Sequence, residues 1–316
     1  MLFRLRRGII PQEKKKKAND DMKRIFCILI VMLLLCGCAG PAIPTTTAPM
    51  PTTTVPIPTT TTPPTTAAPT TVPPTTVPPA TVPDTVSILD FLKIAVLPVG
   101  STMYVWGGGW NEEDTGAGIE AVTLGVSPQW AAFAAQQGSD YDMDDTRYQI
   151  HDGLDCSGYV GWAVYNVLET ENGRPGYVMA STKMAQTYAD MGLGTYIPAS
   201  EMTDWQAGDI MSMKGHVWIV VGRCDDGSVL FVHASPPGVM FSGTKLADGS
   251  ESDATALAER IMKENYPNWY ARFPESARPH SYLTDSSAMR WSADVLSDFE
   301  GLRDMSAEEV ADMIFG

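Results

Sequence analysis

The sequence predicts an α+β protein with an antiparallel β-sheet, on the evidence of two patterns and their order. Helical apolar spacing comes first, at 87–96 (SILDFLKIAV) and again in the residues that follow Cys156. Two β-rich runs come later, HVWIVVGR at 216–223 and SVLFVHAS at 228–235, and only CDDG separates them, so together they predict a hairpin. Helices followed by hairpins are typical of an α+β domain, in contrast to the strict alternation of α/β folds.

The N-terminal segment, residues 1–38, has the pattern of an n-region and an export signal. An apolar run from Ile25 to Leu35 follows two basic residues and is too short to span a membrane. The ending Leu35-Cys36-Gly37-Cys38 resembles a bacterial lipobox, so Cys38 is the expected lipidation site. The alternative is an ordinary cleaved signal, which would release the protein from the membrane.

Residues 39–84 predict an extended stalk. Fourteen of the 24 prolines lie between Pro41 and Pro83, and no charged residue lies there. Such a composition cannot bury a core and favours polyproline II, which at ~3.1 Å per residue gives a reach of about 140 Å. That length would carry a domain from a membrane anchor into a cell wall.

Charge and cysteine content exclude several classes of function. The chain has 22 basic residues (Lys and Arg) and 37 acidic residues (Asp and Glu). Nine of the basic and three of the acidic residues lie before residue 25, so the remainder has 13 basic and 34 acidic residues and a net charge of −21. Such an acidic surface argues against nucleic acid as a partner. Beyond the signal only Cys156 and Cys224 remain, which is too few for a disulfide framework or a cysteine zinc site, and Cys224 is expected to be a free thiol. No metal or cofactor is expected, and nothing in the sequence indicates more than a monomer.

Residues 85–316 form the predicted globular domain, and several of its elements carry end signals. Ser87 is a candidate N-cap, and Ser127-Pro128 and Gly138 bracket another helix. WQAGDI at 205–210 leads into a strand, and 254–264 has the pattern of a surface helix. Ser306 and Glu309 fit a capping box for a final amphipathic helix.

The stretch GLDCSGYVGW at 153–162 holds the candidate functional cysteine. Cys156 could be a buried hydrophobe, half of a disulfide, a metal ligand or a nucleophile. A nucleophile needs a thiolate, which a helix N-terminus and a neighbouring imidazolium both favour. Cys156 lies where a helix is predicted to begin, and the chain offers four histidines, which are His151, His216, His233 and His280.

The predicted hairpin places His216 and His233 on one face. If its loop is Cys224–Gly227, Arg223 faces Ser228 and His233 faces Trp218, one diagonal step from His216. A two-residue turn would keep the face but separate the two rings further. In the first arrangement His216 can take the thiol proton while His233 orients its ring. His151 and His280 are more simply explained as structural and surface-loop residues.

Three blocks, DCSGYV, GHVWIV and FVHAS, resemble in that order the catalytic blocks of the NlpC-type, papain-like cell-wall cysteine peptidases. MYVWGGG at 103–109 and WQAGDI resemble two supporting blocks of the same family. The resemblance implies a catalytic-Cys helix packed on an antiparallel sheet that carries both histidines. It also implies a membrane-anchored enzyme, facing the cell wall, that hydrolyses an amide bond in peptidoglycan stem peptides.

The resemblance assigns roles by position. Cys156 is the nucleophile, His216 the base and His233 the orienting residue. Tyr104 would hydrogen-bond near the thiolate or the oxyanion, and Asp155 and Ser157 would bind the free amine of the stem peptide. The expected bond joins γ-linked D-glutamate to the diamino acid.

Two departures from the family pattern bear on the substrate. An insertion at 111–150, rich in Asp and Glu and with its own helix, separates the aromatic-glycine block from Cys156 and is expected to wall or cover the cleft. An extension at 245–316 has no recognisable wall-binding repeat. Two other functions therefore stay open, an N-acetylmuramoyl-L-alanine amidase with the same triad and a non-catalytic wall-binding lipoprotein.

Overall fold

A computed structural model describes residues 86–168 and 175–316 of the chain. The predicted signal peptide, the lipidation site Cys38 and the stalk lie outside these residues. Among the described helices, none has the length and apolar character needed to cross a membrane.

Eight α-helices are present in the described residues. Short 3₁₀ turns at 119–122, 181–183, 199–201 and 302–304 supplement them. The helices are α1 (Ile88–Val96), α2 (Pro128–Ala134), α3 (Cys156–Leu168), α4 (Met184–Asp190), α5 (Asp253–Asn265), α6 (Pro267–Tyr270), α7 (Ser281–Thr284) and α8 (Ala307–Phe315).

Nine strands form one sheet that is mostly antiparallel, so the described residues are a mixed α+β structure as predicted. The strands are β1 (Met103–Tyr104), β2 (Gly153–Leu154), β3 (Gly194–Ile197), β4 (Ile210–Met213), β5 (His216–Arg223), β6 (Val229–Ser235), β7 (Gly238–Thr244), β8 (Ala277–Arg278) and β9 (Ser287–Trp291). Their order is β2-β1-β7-β6-β5-β4-β9-β3, with β8 paired to β7. Only the β1–β2 and β7–β8 pairs are parallel.

The N-terminal signals read from the sequence are confirmed, whereas α2 ends at Ala134 with Ala135 as its C-cap, so Gly138 does not close it. Ser87 and Ser306 each make a reciprocal capping box with the residue three positions on. The Ser127 side chain accepts from the Gln129 N–H, and Pro128 opens α2. These contacts satisfy backbone N–H groups that a helix leaves without acceptors in its first turn.

The β5–β6 hairpin is confirmed, but its loop differs from the prediction by one residue. Arg223 pairs with Val229 and not with Ser228. A bulge between Val220 and Gly222 then absorbs one residue, and Ile219 pairs with Val232. One further step in that register sets His233 opposite Trp218, which is the predicted pairing. The bulge lies where α8 crosses β5, since a Cβ on Gly222 would lie 2.7 Å from Ala307 Cα.

Alternate residues of β5 and β6 face two separate cores. Val217, Ile219 and Val232 point into the main core with α1, α3 and α8, whereas Trp218 and Phe231 belong to a smaller cluster that α7 covers. α3 packs against β5 and β6 and is buried on nearly all sides. The helix that begins at Cys156 is therefore held rigidly against the strands that carry the two histidines.

The predicted insertion and extension are tied to each other. From the extension, the Arg272 guanidinium donates to the carbonyl oxygens of Ala134 (2.8 Å) and Gln137 (2.7 Å), just beyond the end of α2 in the insertion. A cation at this position satisfies carbonyls that the helix leaves free at its C-terminus. α5, predicted as a surface helix, buries one face against β7.

Candidate active site

Cys156 is the first residue of α3, and Asp155 caps that helix. The Asp155 carboxylate accepts from the Gly158 N–H at 2.7 Å, and the Asp155 carbonyl accepts from the Tyr159 N–H at 2.9 Å. The cysteine therefore lies at the positive end of a helix thirteen residues long. Its own N–H is among those that have no acceptor within the helix.

The thiol lies against the backbone on both sides of His216. Sγ is 4.0 Å from the Gly215 carbonyl oxygen, and the Val217 N–H donates to the sulfur. Gly215 closes the tight β4–β5 turn with φ of +80°, a conformation that favours glycine. The turn thus brings the start of β5 to the N-terminus of α3.

The two histidines form the predicted pair, and Ser242 extends it. His216 Nε2 lies 2.8 Å from His233 Nδ1, and His233 Nε2 lies 3.0 Å from Ser242 Oγ on β7. One tautomer set that satisfies this chain has His216 Nε2–H donating to His233 Nδ1 and His233 Nε2–H donating to Ser242 Oγ. In that arrangement His216 Nδ1 carries a lone pair and no proton, as a general base requires.

Burial sets the protonation of this site. It lowers the pKa of His216 to about 3, with a further contribution from the Arg278 charge. It also holds the pKa of His233 well below its usual range, again with help from Arg278. Burial, then the Asp155 charge, raises the pKa of the Cys156 thiol to about 12, although the Val217 N–H acts in the opposite direction.

The raised pKa of Cys156 is opposite to the lowered pKa expected for a thiol at a helix N-terminus. Cys156 is only 7% exposed, so desolvation outweighs the helix dipole and the hydrogen bonds to sulfur. Burial therefore favours a neutral thiol on Cys156 and neutral imidazoles on His216 and His233. Such a pair is suited to proton transfer during attack, with the thiolate formed only as His216 accepts the proton.

No family model, curated protein or solved structure matches the chain. Within residues 86–168 and 175–316, no group of three or more His, Cys, Asp or Glu side chains is placed to hold a metal ion.

The three residues expected to bind substrate lie beside Cys156 but are engaged with the protein. Ser157 Oγ donates to the Asp155 carboxylate at 2.8 Å and accepts from Trp110 Nε1 at 2.9 Å. Burial raises the pKa of Asp155 to about 6, although the N–H groups of Gly158 and Gly107 and the Ser157 hydroxyl stabilise the ionised form. Tyr104 is buried on β1, and burial raises its pKa well above the usual value.

The extension supplies two residues that the sequence reasoning missed. The Tyr282 ring lies 5.4 Å from the His216 ring and 6.2 Å from that of His233. Arg278 is buried, and its charge reaches both histidines and Tyr282. No local motif marks them, since α7 and β8 are short and their positions follow from the tertiary fold.

The insertion also reaches the site. The Tyr141 hydroxyl donates to the Tyr104 carbonyl at 2.6 Å. A cavity of about 540 Å³ lies between the insertion and the aromatic-glycine block, and its lining includes Gly107, Trp110 and Tyr148. Trp110 connects this cavity to Ser157, and through it to the residue next to Cys156.

The other candidates lie elsewhere. His151 is exposed just after the insertion, and its Nδ1 lies 2.5 Å from Glu120 Oε1. His280 Nδ1 lies 3.3 Å from the Lys245 carbonyl oxygen. Cys224 is a free thiol in the β5–β6 loop, as predicted.

Proposed function

We propose that the protein is a papain-like, NlpC-type cysteine endopeptidase that hydrolyses an amide bond in peptidoglycan stem peptides. The observation that carries the proposal is the hydrogen-bonded chain His216–His233–Ser242, set beside a cysteine at a helix N-terminus. Acyl transfer to a thiol needs a nucleophile, a base that takes its proton, and a group that orients the base. The lipobox-like segment and the stalk support a location at the outer face of the membrane, with the domain turned toward the wall.

The reaction proceeds in two halves. His216 Nδ1 takes the Cys156 proton as sulfur attacks the scissile carbonyl, and the Cys156 N–H donates to the developing oxyanion. The imidazolium then gives its proton to the departing amine, which leaves a thioester on Cys156. Water, activated by the neutral His216, releases the acid and restores the thiol.

The surroundings of His216 favour a neutral ring at rest, so its imidazolium would form only during the reaction. His233 Nδ1 accepts a hydrogen bond from His216 Nε2–H and, itself held by Ser242, keeps the His216 ring in the reactive tautomer. Burial, with a further contribution from the Arg278 charge, lowers the pKa of His216, so His216 remains an unprotonated base at acidic pH. The expected bond is the one between γ-linked D-glutamate and the diamino acid.

A non-catalytic wall-binding lipoprotein is the second candidate. The burial of Cys156 favours it, because a substrate carbonyl must reach the sulfur of a residue that is only 7% exposed. Binding without cleavage would need the peptide only at the rim of the cleft.

Digestion of purified muropeptides separates these functions. The wild type should release fragments with a new N-terminus on the diamino acid, detected by mass spectrometry, whereas Cys156→Ala should release none. Cys224→Ser is the matched control and should cut like the wild type. Free L-alanine N-termini would indicate the amidase, and an inactive wild type that still retains muropeptides would indicate the wall-binding protein.

A further inference from the structure

Trp106, Arg147 and Tyr148 form an exposed aromatic–cation cluster. The Arg147 guanidinium lies 4.7 Å from the centre of the Trp106 ring and 5.5 Å from that of Tyr148. Trp106 is 42% exposed and Tyr148 is 65% exposed. Among the described residues, no other tryptophan or tyrosine is exposed. Exposed aromatic rings around an arginine are typical of recognition surfaces.

The cluster adjoins the cysteine motif through the backbone. β1 and β2 pair in parallel with Tyr104 beside Leu154, and Trp106 lies in the turn that follows β1. Beyond the strands, the Asp155 N–H donates to the Gly108 carbonyl at 2.9 Å, and the Gly107 N–H donates to the Asp155 carboxylate. The turn that carries Trp106 is thus fixed to the residue before the nucleophile.

The insertion holds its half of the cluster in place. The Tyr148 N–H donates to the Trp106 carbonyl at 3.1 Å, and the Tyr141 hydroxyl links Thr146 (2.7 Å) to the carbonyl of Tyr104. Tyr148 has φ of 68°, a left-handed conformation that costs about 1–2 kcal/mol for a residue other than glycine. The surrounding contacts maintain that conformation, so the position of the ring is well defined.

Arg147 has donors to offer. Its nearest carboxylate, Asp144 Oδ1, is 3.9 Å away, and within the described residues its guanidinium makes no hydrogen bond. An exposed ion pair at that distance contributes little. A guanidinium stacked on aromatic rings keeps its N–H edge available, and that edge matches a carboxylate with two parallel hydrogen bonds.

Arg147 also lies within electrostatic reach of the reaction centre. Burial raises the pKa of Tyr104 well above its usual value, and among the smaller influences Cys156 raises it and Arg147 lowers it. The Cys156 and Arg147 charges therefore both act on the Tyr104 hydroxyl. In a segment as acidic as the exported chain, this cation is where an anionic group of a substrate would be attracted.

We propose that Trp106, Arg147 and Tyr148 form a subsite that binds a free carboxylate next to the scissile bond. The inference rests on the proposed function. A γ-linked D-glutamyl residue offers the matching group, because γ-linkage leaves its α-carboxylate free on the residue whose carbonyl Cys156 attacks. Arg147 pairs with that carboxylate, and Trp106 and Tyr148 cover the apolar part of the peptide.

A matched pair of peptides tests the subsite. One is L-alanyl-γ-D-glutamyl-diamino acid, and the other differs only by a carboxamide in place of the glutamyl α-carboxylate. Titration calorimetry with the full chain carrying Cys156→Ala should show the carboxylate peptide binding about tenfold more tightly. Adding Arg147→Gln should reduce the preference to within about twofold, whereas Arg147→Lys should retain part of it. Arg260→Gln, which removes an exposed arginine on α5, is the charge control and should leave the preference unchanged.

The outcomes separate this subsite from the catalytic proposal. In the active chain, Arg147→Gln should raise KM for the carboxylate peptide and change kcat by less than about twofold, as expected for binding made equally in ground and transition states. If the wild type cleaves neither peptide but binding still depends on Arg147, the subsite stands and the proposed reaction fails. Equal affinity for the two peptides, no measurable binding of either, or a preference that survives Arg147→Gln would overturn the subsite.

Discussion

Asp155 couples the stability of helix α3 to pH. Its carboxylate is buried, and burial raises its pKa from 3.8 to about 6. The folded protein therefore binds this proton more tightly than the unfolded chain does. The resulting stabilisation is fully present below pH 3.8 and is lost as the pH rises through about 6. A shift of roughly two units corresponds to about 3 kcal/mol.

Asp155→Asn removes the titration while keeping one oxygen for the Ser157 hydroxyl and the Gly158 N–H. The altered hydrogen bonds contribute an offset that does not depend on pH. The free energy of unfolding of the wild type relative to Asp155→Asn should therefore fall by about 3 kcal/mol between pH 3.5 and 7.5, with most of the change between pH 4 and 6. Urea unfolding of both proteins across this range measures the difference.

Asp226→Asn provides a control of opposite sign. Burial acts to raise the pKa of Asp226, but the Ser228 hydroxyl and the N–H groups of Asp253 and Ser228 outweigh it and lower the pKa. The wild type should therefore gain stability over Asp226→Asn as the pH rises through the acid range. A pH-independent difference for Asp155→Asn, or one that grows with pH, would refute the buried-carboxylate reasoning.

Three further substitutions test the surroundings of the site. Ser242→Ala leaves the buried Nε2–H of His233 without its acceptor, so kcat/KM on a γ-D-glutamyl peptide should fall about tenfold, and an unchanged rate would exclude the tautomer chain. Tyr282→Ala removes a ring packed against His216 and should lower the free energy of unfolding by about 2–3 kcal/mol in urea, whereas Tyr282→Phe should cost under 1 kcal/mol; equal losses would contradict the packing argument. Arg272→Met removes two hydrogen bonds between extension and insertion, so amide exchange at 128–137 should accelerate, and protection equal to that of the wild type would show that this link is not needed.

Features encoded by short stretches could be predicted from the sequence. The serine caps at Ser87, Ser127 and Ser306 follow from side chains that satisfy N–H groups three residues away or fewer. The start of α3 at Cys156 follows from the apolar pattern behind it, and the structure adds Asp155 as its cap. Local hydrogen bonding decides these elements, and their sequence signals are correspondingly local.

The pairing of His216 with His233 was predictable from the strand period, together with a bulge that offset the error in the loop length. The two-residue period of a strand fixes which face each histidine occupies. The loop prediction was one residue short, and the bulge between Val220 and Gly222 compensates for it. Because that bulge accommodates α8, which lies eighty residues further along the chain, the sequence of the hairpin gives no sign of it.

Contacts between distant segments could not be predicted. Tyr282 and Arg278 reach the histidines only because β8 pairs with β7 and α7 covers the smaller core. Arg147 meets Trp106 through the packing of the insertion on β1. The raised pKa of the thiol likewise depends on burial, which is a property of the assembled fold.

An alkylating probe shaped like the substrate tests directly whether Cys156 is a nucleophile activated by His216. A γ-D-glutamyl acyloxymethyl ketone presents its electrophilic carbon where the scissile carbonyl would lie, and peptide mapping by mass spectrometry locates the adduct. A single adduct is expected on Cys156, in the wild type and in Cys224→Ser, with a rate at least tenfold lower in His216→Ala. Equal labelling of Cys224 in the wild type, or labelling of Cys156 that is indifferent to His216, would contradict it.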